Sequence, residues 1–527
     1  MKYTLDYFAW SRWAPCVIAL WLFVGCSSEP AVDPCEDQYP DLQDATWAWS
    51  VGQVRYVSTT CGKAGRSGTS RAKPAATFND ALASAAAGDV IVVAPGTYAG
   101  GFEVPMGVSI VGYSKDTVSI AGGSGVAISG TGQSLLAQVT ITGATGVGLT
   151  IDGGHVVLQD AMIKDTKASD DASGDGVWIR GGKFCLDGSR VSFNEGAGVV
   201  AMGNDSRIAI LDPIWKESAE AAAILDPIWV PDLMASMKQS ENKSVIEANS
   251  GAGVAILDPI WILDPVWILD PLWQPDGTGA AALIGSAKLD NNDIGIAAFG
   301  GRVDTHNMVI SQGGGTAIYA EGQKDKGPTI TLNKDTKITG GAAALGVWLV
   351  STATLSSTAV FSGQGEAAIW AQGQGVSVDL AAGASFADIS GIGIALRSGA
   401  DLRADAVMFS DIGVDGLQII GGSSANVTNS NFKKVSRTGV LIDAPGVDDD
   451  GMWKIKMKDN TFSDCTAGCT VNGKTHADYK SSNEGNRSNN DYGASVGTAV
   501  KDSGSLKWDD KACDGQCSSP KSPSVSK

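Results

Sequence analysis

Along most of the chain one short pattern returns, a glycine or small residue followed by apolar residues at alternate positions. It stands at Gly176-Val177-Trp178-Ile179, Gly198-Val199-Val200-Ala201, Gly253-Val254-Ala255-Ile256, Gly295-Ile296-Ala297-Ala298 and Gly346-Val347-Trp348-Leu349, and again at Gly393, Gly416 and Gly439. Thr316-Ala317-Ile318-Tyr319 and Ala367-Ala368-Ile369-Trp370 read as variants of it, and most spacings lie between 21 and 26 residues. Between these cores run short alternating stretches such as Ala287-Lys288-Leu289-Asp290. Period-2 alternation in short runs predicts strands. A fixed repeat of this length predicts a solenoid, in which each coil buries its apolar positions on the next. The expected fold class is therefore all-β, a parallel β-helix.

Strand alternation also predicts an outer face. If the two apolar positions after each glycine point inward, the residue between them points out. Those residues are Trp178, Val200, Ala255, Ala297, Ile318, Trp348, Ile369, Ala395, Gln418 and Leu441. All but Gln418 are apolar, so one long face should be a greasy stripe that calls for a cover or a partner.

The N-terminal part adds a resemblance. Tyr56-Val57-Ser58-Thr59-Thr60, Lys73-Pro74-Ala75-Ala76-Thr77-Phe78-Asn79-Asp80-Ala81-Leu82 and Gly88-Asp89-Val90-Ile91-Val92-Val93-Ala94-Pro95-Gly96-Thr97-Tyr98 resemble the entry motif of right-handed parallel β-helix proteins, the pectin-lyase-like superfamily. The resemblance covers about residues 54 to 475. It implies a capping helix over Phe78–Ala87 that covers the pairing-prone end of the first coil, and a first buried strand at Val90–Val93. Enzymes on this fold are typically polysaccharide lyases, glycosidases and epimerases, and function varies widely on it.

Two spacings break the period: Gly198 to Gly253, and Gly253 to Gly295. Both gaps hold copies of Ile-Leu-Asp-Pro-(Ile/Val/Leu)-Trp, which end at Trp215, Trp229, Trp261, Trp267 and Trp273. Removing Leu257 to Asp276 restores the period. Asp-Pro biases each unit toward extended chain, and proline lacks the N–H a central strand needs. The units are expected as loops leaving from the same corner of neighbouring coils. They read first as a spread sequence repeat, its rings folded back on the coil. The functional alternative is an aromatic platform for a glycan or partner protein, with Trp178 and Trp348 as further binding candidates.

The chain opens with Lys2 and Arg12, an apolar run from Pro15 to Gly25, and Leu22-Phe23-Val24-Gly25-Cys26. The run is short for a membrane span and suits a secretory signal. The pentapeptide resembles a bacterial lipobox, which makes Cys26 the expected lipidation site and the membrane a partner through that lipid. The implied location is the cell envelope, at the outer membrane or cell surface. Cysteine usage fits an oxidising compartment. Cys35, Cys61, Cys465, Cys469, Cys513 and Cys517 are disulfide candidates of open connectivity, and Cys185, flanked by Phe184 and Leu186, is expected as a buried thiol.

Composition narrows the chemistry. The 527 residues carry 57 Asp and Glu against 39 Lys and Arg, a net charge of −18, which argues against nucleic acid as a partner. Three histidines, His155, His306 and His476, leave little for a metal or triad site. A lyase would gather acidic calcium ligands beside a basic residue, and a glycosidase two carboxyls at fixed distance. The best candidates are Asp170, Asp171 and Asp175 with Arg180. Next come Asp411 and Asp415 with Arg397, then Asp448, Asp449 and Asp450 with Lys454. Asp in β-helix turns is ordinary turn chemistry, so no catalytic residue and no cofactor is assigned, calcium staying as the weak option. The division expected is 1–25 signal, 26–53 tether and lead-in, 54–475 β-helix with insertions at about 211–241 and 257–276, and 476–527 C-terminal extension. The function expected is a surface module that binds polysaccharide or a surface partner or serves as a structural surface. The alternative is a polysaccharide lyase or glycosidase.

Overall fold

The alternating stretches form strands, and the strands stack in parallel into three long sheets. The computed structural model describes residues 35, 38–40, 52–170, 172–203, 205–211, 240, 242–257, 281–285, 287–322, 326–342, 344–443, 446, 454–465, 467–471 and 498–502. Among these, sheets A and C each hold 15 strands and sheet B holds 14. Each coil visits A, B and C in turn. Ser109–Gly112 lies in A, Val118–Ala121 in B and Val126–Ser129 in C, and Gln133–Ala137 begins the next coil in A. This is the parallel β-solenoid read from the repeat. No helix among the described residues is long and apolar enough to cross a membrane.

Like residues stack on like through the core. In sheet A the inward row runs Ile110, Leu136, Leu158, Leu186, Ile210 and Ile284, all buried. Burying each such side chain contributes about 1.5–3 kcal/mol. In sheet B five rings, Phe361, Phe386, Phe409, Phe432 and Phe462, stack face to face at 4.9, 4.8, 4.5 and 4.9 Å. The corner from B to C is turned by a left-handed residue, as at Phe193 (φ 56°) and Ala248 (φ 52°). The next residue then points inward. Asn194 donates from Nδ2 to Asn249 Oδ1 (2.8 Å), and Asn249 to Asn292 (2.9 Å), a buried amide ladder that meets its own hydrogen-bonding needs. The recurring glycine of sheet C has a steric cause. A Cβ on Gly176 would lie 2.6 Å from the Gly198 carbonyl oxygen, and one on Gly198 2.6 Å from that of Gly253.

The expected cap is present and shorter than expected, Phe78–Leu82. Thr77 caps it by accepting from the Asp80 amide at 3.1 Å, which satisfies one free N–H of the first turn. Phe78 stacks on Phe102 at 4.4 Å and meets Tyr98 edge-on, closing the end of the first coil. Arg55 and Asp89 form a buried ion pair at 3.0 Å that ties the entry strand to this coil. Burial alone would raise the Asp89 pKa, but hydrogen bonds from the Gln53 and Ala86 amides and from Arg55 hold it below the usual carboxylate range.

Cysteine pairing is now partly assigned. A disulfide joins Cys35 to Cys61, and Cys185 is a buried free thiol. Cys465 is no disulfide partner. It follows left-handed Asp464 as Val435 follows left-handed Lys434, so its side chain points into the core, where it is 2% exposed. The Cys469 side chain and Cys513, Cys517 and Cys26 lie outside the described residues. Within the stretch read as an extension, Thr498–Asp502 pairs in parallel with Ala467–Val471.

The insertions leave from two different corners, not one. The first follows Arg207–Leu211 of sheet A and precedes Val245–Glu247 of sheet B. The second follows Ala252–Leu257 of sheet C and precedes Ala281–Gly285 of sheet A. Counting from Gly198 hid a complete sheet A strand, because Arg207–Leu211 runs straight into the first hexapeptide copy. The sheets close directly across both, Arg207 beside Ala281 and Val254 beside Ile296. Residues 212–239 and 258–280 lie outside the described ones.

Candidate functional site

The outward face of sheet C carries an aromatic row more continuous than the sequence pattern suggested. Strand register sets Trp178 beside Val200, then Ala255, Ala297, Tyr319, Trp348, Trp370 and Ala395 in succession. The flanking residues, such as Val177, Ile179, Val347 and Leu349, belong to the core, so this row faces out. Two assignments from sequence are corrected. Ile318 and Ile369 are fully buried inward residues, and Tyr319 and Trp370 take the outward places. In those coils an alanine, Ala317 or Ala368, stands level with Gly295 and Gly346. Reading from the first small residue therefore slipped the phase by one, which exchanges the faces. Aligning on the aliphatic pairs Ile318/Ala320 and Ile369/Ala371 would have found both aromatics.

Three aromatic side chains thus occupy consecutive coils. Tyr319 meets Trp348 edge-on at 5.3 Å and Phe299 at 5.6 Å, and all but Trp348's buried N–H edge is partly open to solvent. The Arg397 guanidinium lies 5.0 Å over Trp370, and Arg180 lies 4.8 Å over Trp178, a pairing worth about 0.5–1 kcal/mol at such sites. Beside Trp348 and Trp370, a hollow of about 370 Å³ is lined by Val350, Ser351, Thr352, Gln372, Gly373, Gln374 and Ser398. Between Trp178 and the aromatic trio, the outward positions hold Val200, Ala255 and Ala297, a buried apolar cluster with Phe299 and Leu257 packed against it.

Each end of the row is held by a carboxylate. Asp175 accepts from Trp178 Nε1 (2.6 Å), the Ala197 amide (2.6 Å) and the Ser173 hydroxyl. Burial nevertheless raises its pKa above the usual carboxylate range. Asp415 is fully buried, pairs with Arg437 and accepts from Gln418 Nε2 at 2.6 Å, and Gln418 in turn accepts from Arg397. Asp175 therefore orients Trp178, and the Asp415–Gln418–Arg397 chain orients the cation over Trp370.

Among the described residues the predicted acidic groups do not converge. Asp170 is exposed on a turn, and Asp171 lies outside the described residues. Asp175 and Arg180 both serve the Trp178 ring. Asp411 pairs with Lys434 at 3.2 Å on the surface, and Asp448, Asp449 and Asp450 lie outside the description. Asp175 and Asp415 sit eight strand steps apart in sheet C, about 38 Å at ~4.8 Å per step. A glycosidase pair stands about 5–9.5 Å apart. Among the described residues no three His, Cys, Asp or Glu side chains gather as a metal site. Asp304, beside His306, is engaged by Arg302 of its own strand at 2.6 Å. His476 and the hexapeptide residues Trp215, Trp229, Trp261, Trp267 and Trp273 lie outside the described residues.

No family model matches the chain, and no curated protein matches it in sequence. Among solved structures it is similar to the catalytic unit of a GH87 α-1,3-glucanase from Streptomyces thermodiastaticus, at 14% identity and a TM-score of 0.39. That match covers 70% of this chain and 66% of the glucanase unit, just under two thirds of it. The A-module of a mannuronan C-5 epimerase from Azotobacter vinelandii is similar at 11% identity and TM-score 0.29, over 84% of this chain and 99% of that one. A mannuronic-acid-specific family 6 lyase from human gut microbiota is similar at 11% and 0.29, over 80% and 86%.

Proposed function

We propose that this chain is a cell-envelope β-helix module, anchored by lipid at Cys26, that binds polysaccharide along the outward face of sheet C without cleaving it. The observation that carries the reading is the run of Tyr319, Trp348 and Trp370 on consecutive coils beside a hollow lined by Ser351, Thr352, Gln372 and Gln374. Aromatic faces take the apolar faces of sugar rings, and adjacent hydroxyls and amides take their hydroxyl groups. A neutral polymer suits the face best. The chain carries a net −18, and among the described residues Arg180 and Arg397 of this face each lie over an indole ring while Arg437 is paired with Asp415.

The test is titration of the protein with neutral and uronate polysaccharides, following tryptophan fluorescence, with product analysis of the same mixtures. Saturable binding to a neutral polymer, with no new reducing ends and no unsaturated product, is the expected result. Turnover of any of these polymers would replace the binding reading with the lyase or glycosidase one. The anchor has its own test. Cys26→Ser should abolish lipid labelling and release the protein from the membrane fraction. Equal membrane retention of both forms, with neither labelled, would remove the lipid anchor from the proposal.

A further inference from the structure

Charge is unevenly placed in this acidic chain. Between Ser58 and Gly88 stand four cations, Lys63, Arg66, Arg71 and Lys73, and one carboxylate, Asp80, although the whole chain carries −18. The fold gathers these cations at one end. Val54–Val57 is the terminal strand of sheet A, and the loop that follows takes its outer edge. The Tyr56 amide donates to the Gly68 carbonyl at 2.7 Å, the Ala75 amide to that of Tyr56 at 2.9 Å and the Ser58 amide to that of Ala75 at 3.0 Å. The Lys63 amide donates to the Pro74 carbonyl at 3.2 Å, which sets Lys63 beside Lys73. Turns closed from the Arg66 amide to Lys63 and from the Lys73 amide to Ser70 bring in Arg66 and Arg71. Asp80 is engaged within the cap, accepting from the Gly65 amide at 2.9 Å and the Thr77 hydroxyl at 2.7 Å. Lys63 and Lys73 are exposed and Arg66 and Arg71 half-exposed, with exposed Ser67, Thr69 and Ser70 between them.

We propose that this cationic end of the solenoid docks on an anionic lipid surface, its lysine ammonium groups among phosphate headgroups. The proposal rests on the lipid anchor at Cys26 for the nearness of that surface. A disulfide joins Cys35 to Cys61, two residues before Lys63, with the two Cα atoms 5.9 Å apart. Nine residues lead from Cys26 to Cys35, a reach of at most about 30 Å at ~3.3 Å per residue. An anchored chain therefore holds the loop of Lys63 and Lys73 within reach of the headgroups, and the disulfide keeps the lead-in from lengthening that tether. Compact, rotatable ammonium groups suit a diffuse layer of phosphates. Each Lys or Arg brought to an anionic bilayer multiplies association about 5-fold, within a Debye length of the surface. Docked by this end, the solenoid carries its aromatic row outward. Trp348 stands eight strand steps beyond the first strand of sheet C, about 38 Å.

The full chain is mixed with vesicles of phosphatidylcholine, with or without phosphatidylglycerol, and its lysines are labelled with an amine reagent and mapped by peptide. Lys63 and Lys73 should react at least ~10-fold more slowly on the phosphatidylglycerol vesicles and recover in high salt. Lys433, exposed in sheet B of a C-terminal coil, should react equally on both. Equal labelling of Lys63 and Lys73 on the two vesicles overturns the proposal. So does protection that is already complete without vesicles, which would make Glu29 and Asp33 of the tether the partners of these lysines. Lys63→Glu/Lys73→Glu should lower the extra partitioning that phosphatidylglycerol confers by at least ~25-fold, with the melting temperature unchanged. Unchanged partitioning would place the contact elsewhere on the molecule. The same labelling on the Cys26→Ser chain separates the cap from the anchor. Protection by phosphatidylglycerol that persists there upholds the cap without the anchor, and protection lost only with the anchor upholds both. Protection in neither chain overturns the cap and leaves the anchor to its own lipid label.

Discussion

Replacing Trp348 and Trp370 together by alanine should lower affinity for the bound polysaccharide by at least ~100-fold, since truncating a central aromatic anchor commonly costs about 2 kcal/mol or more. The two rings are strand neighbours and share one ligand surface, so their effects should not simply add. Stability should move much less. Both side chains face out, and the variant forfeits the edge contact with Tyr319 and the stacked Arg397, roughly 1–2 kcal/mol together. Trp178→Ala discriminates by ligand length. Its ring lies five strand steps from Trp348, about 24 Å. A short oligosaccharide should bind the Trp178 variant as well as it binds the parent, and only a polymer long enough to span that gap should lose affinity. Equal loss for short and long ligands would mean that the face is not read as a linear track. Calorimetric titration of both variants against a size series reads these outcomes directly.

That face was half legible in the sequence. Gly176, Gly198, Gly253 and Gly295 mark coils whose backbones approach too closely for a Cβ, so wherever glycine survives the phase of the strand can be read without error. Ala317 and Ala368 fill the same place with the smallest side chain that has a Cβ, and there the marker fails. The two outward aromatics that matter most, Tyr319 and Trp370, were hidden by that single substitution of type. The corner from which the first insertion leaves was hidden for a related reason. Arg-Ile-Ala-Ile-Leu at 207–211 is a strand by alternation, but it shares Ile210 and Leu211 with the first hexapeptide. The fold class survived both slips because it rests on the repeat length and on many inward positions. A one-residue error affects a face, not an architecture. Charge pairing was the least legible level. Nothing in the local sequence says that Asp415 will meet Arg437, or Asp175 the amide of Ala197, because each partner comes from the next coil.

Phe409→Ala should be the most damaging single substitution in the C-terminal coils. Its ring is 1% exposed and stacks between Phe386 at 4.8 Å and Phe432 at 4.5 Å. Removing a buried phenylalanine costs about 3–5 kcal/mol through lost transfer energy and the cavity left behind. Here the cavity cannot close easily, since the coils above and below are fixed by parallel strand pairing on both sides. The consequence should be local before it is global. In a solenoid each coil contacts its neighbours alone, so stability approximates a sum of coil and interface terms. A defect at one interface therefore splits the cooperative unit. The variant should melt in two steps, with the coils beyond Phe409 opening first and the N-terminal coils near the parent temperature. Limited proteolysis between the steps should cut after about residue 400 and leave the Cys35–Cys61 end intact. Phe184→Ala makes the comparison, since that ring is equally buried but stacks on Val156 and Ile208 as strand partners and belongs to no ring ladder. If Phe409→Ala instead shifts one sharp transition by the same amount for every probe, the chain melts as a single unit and the coil-by-coil account is wrong.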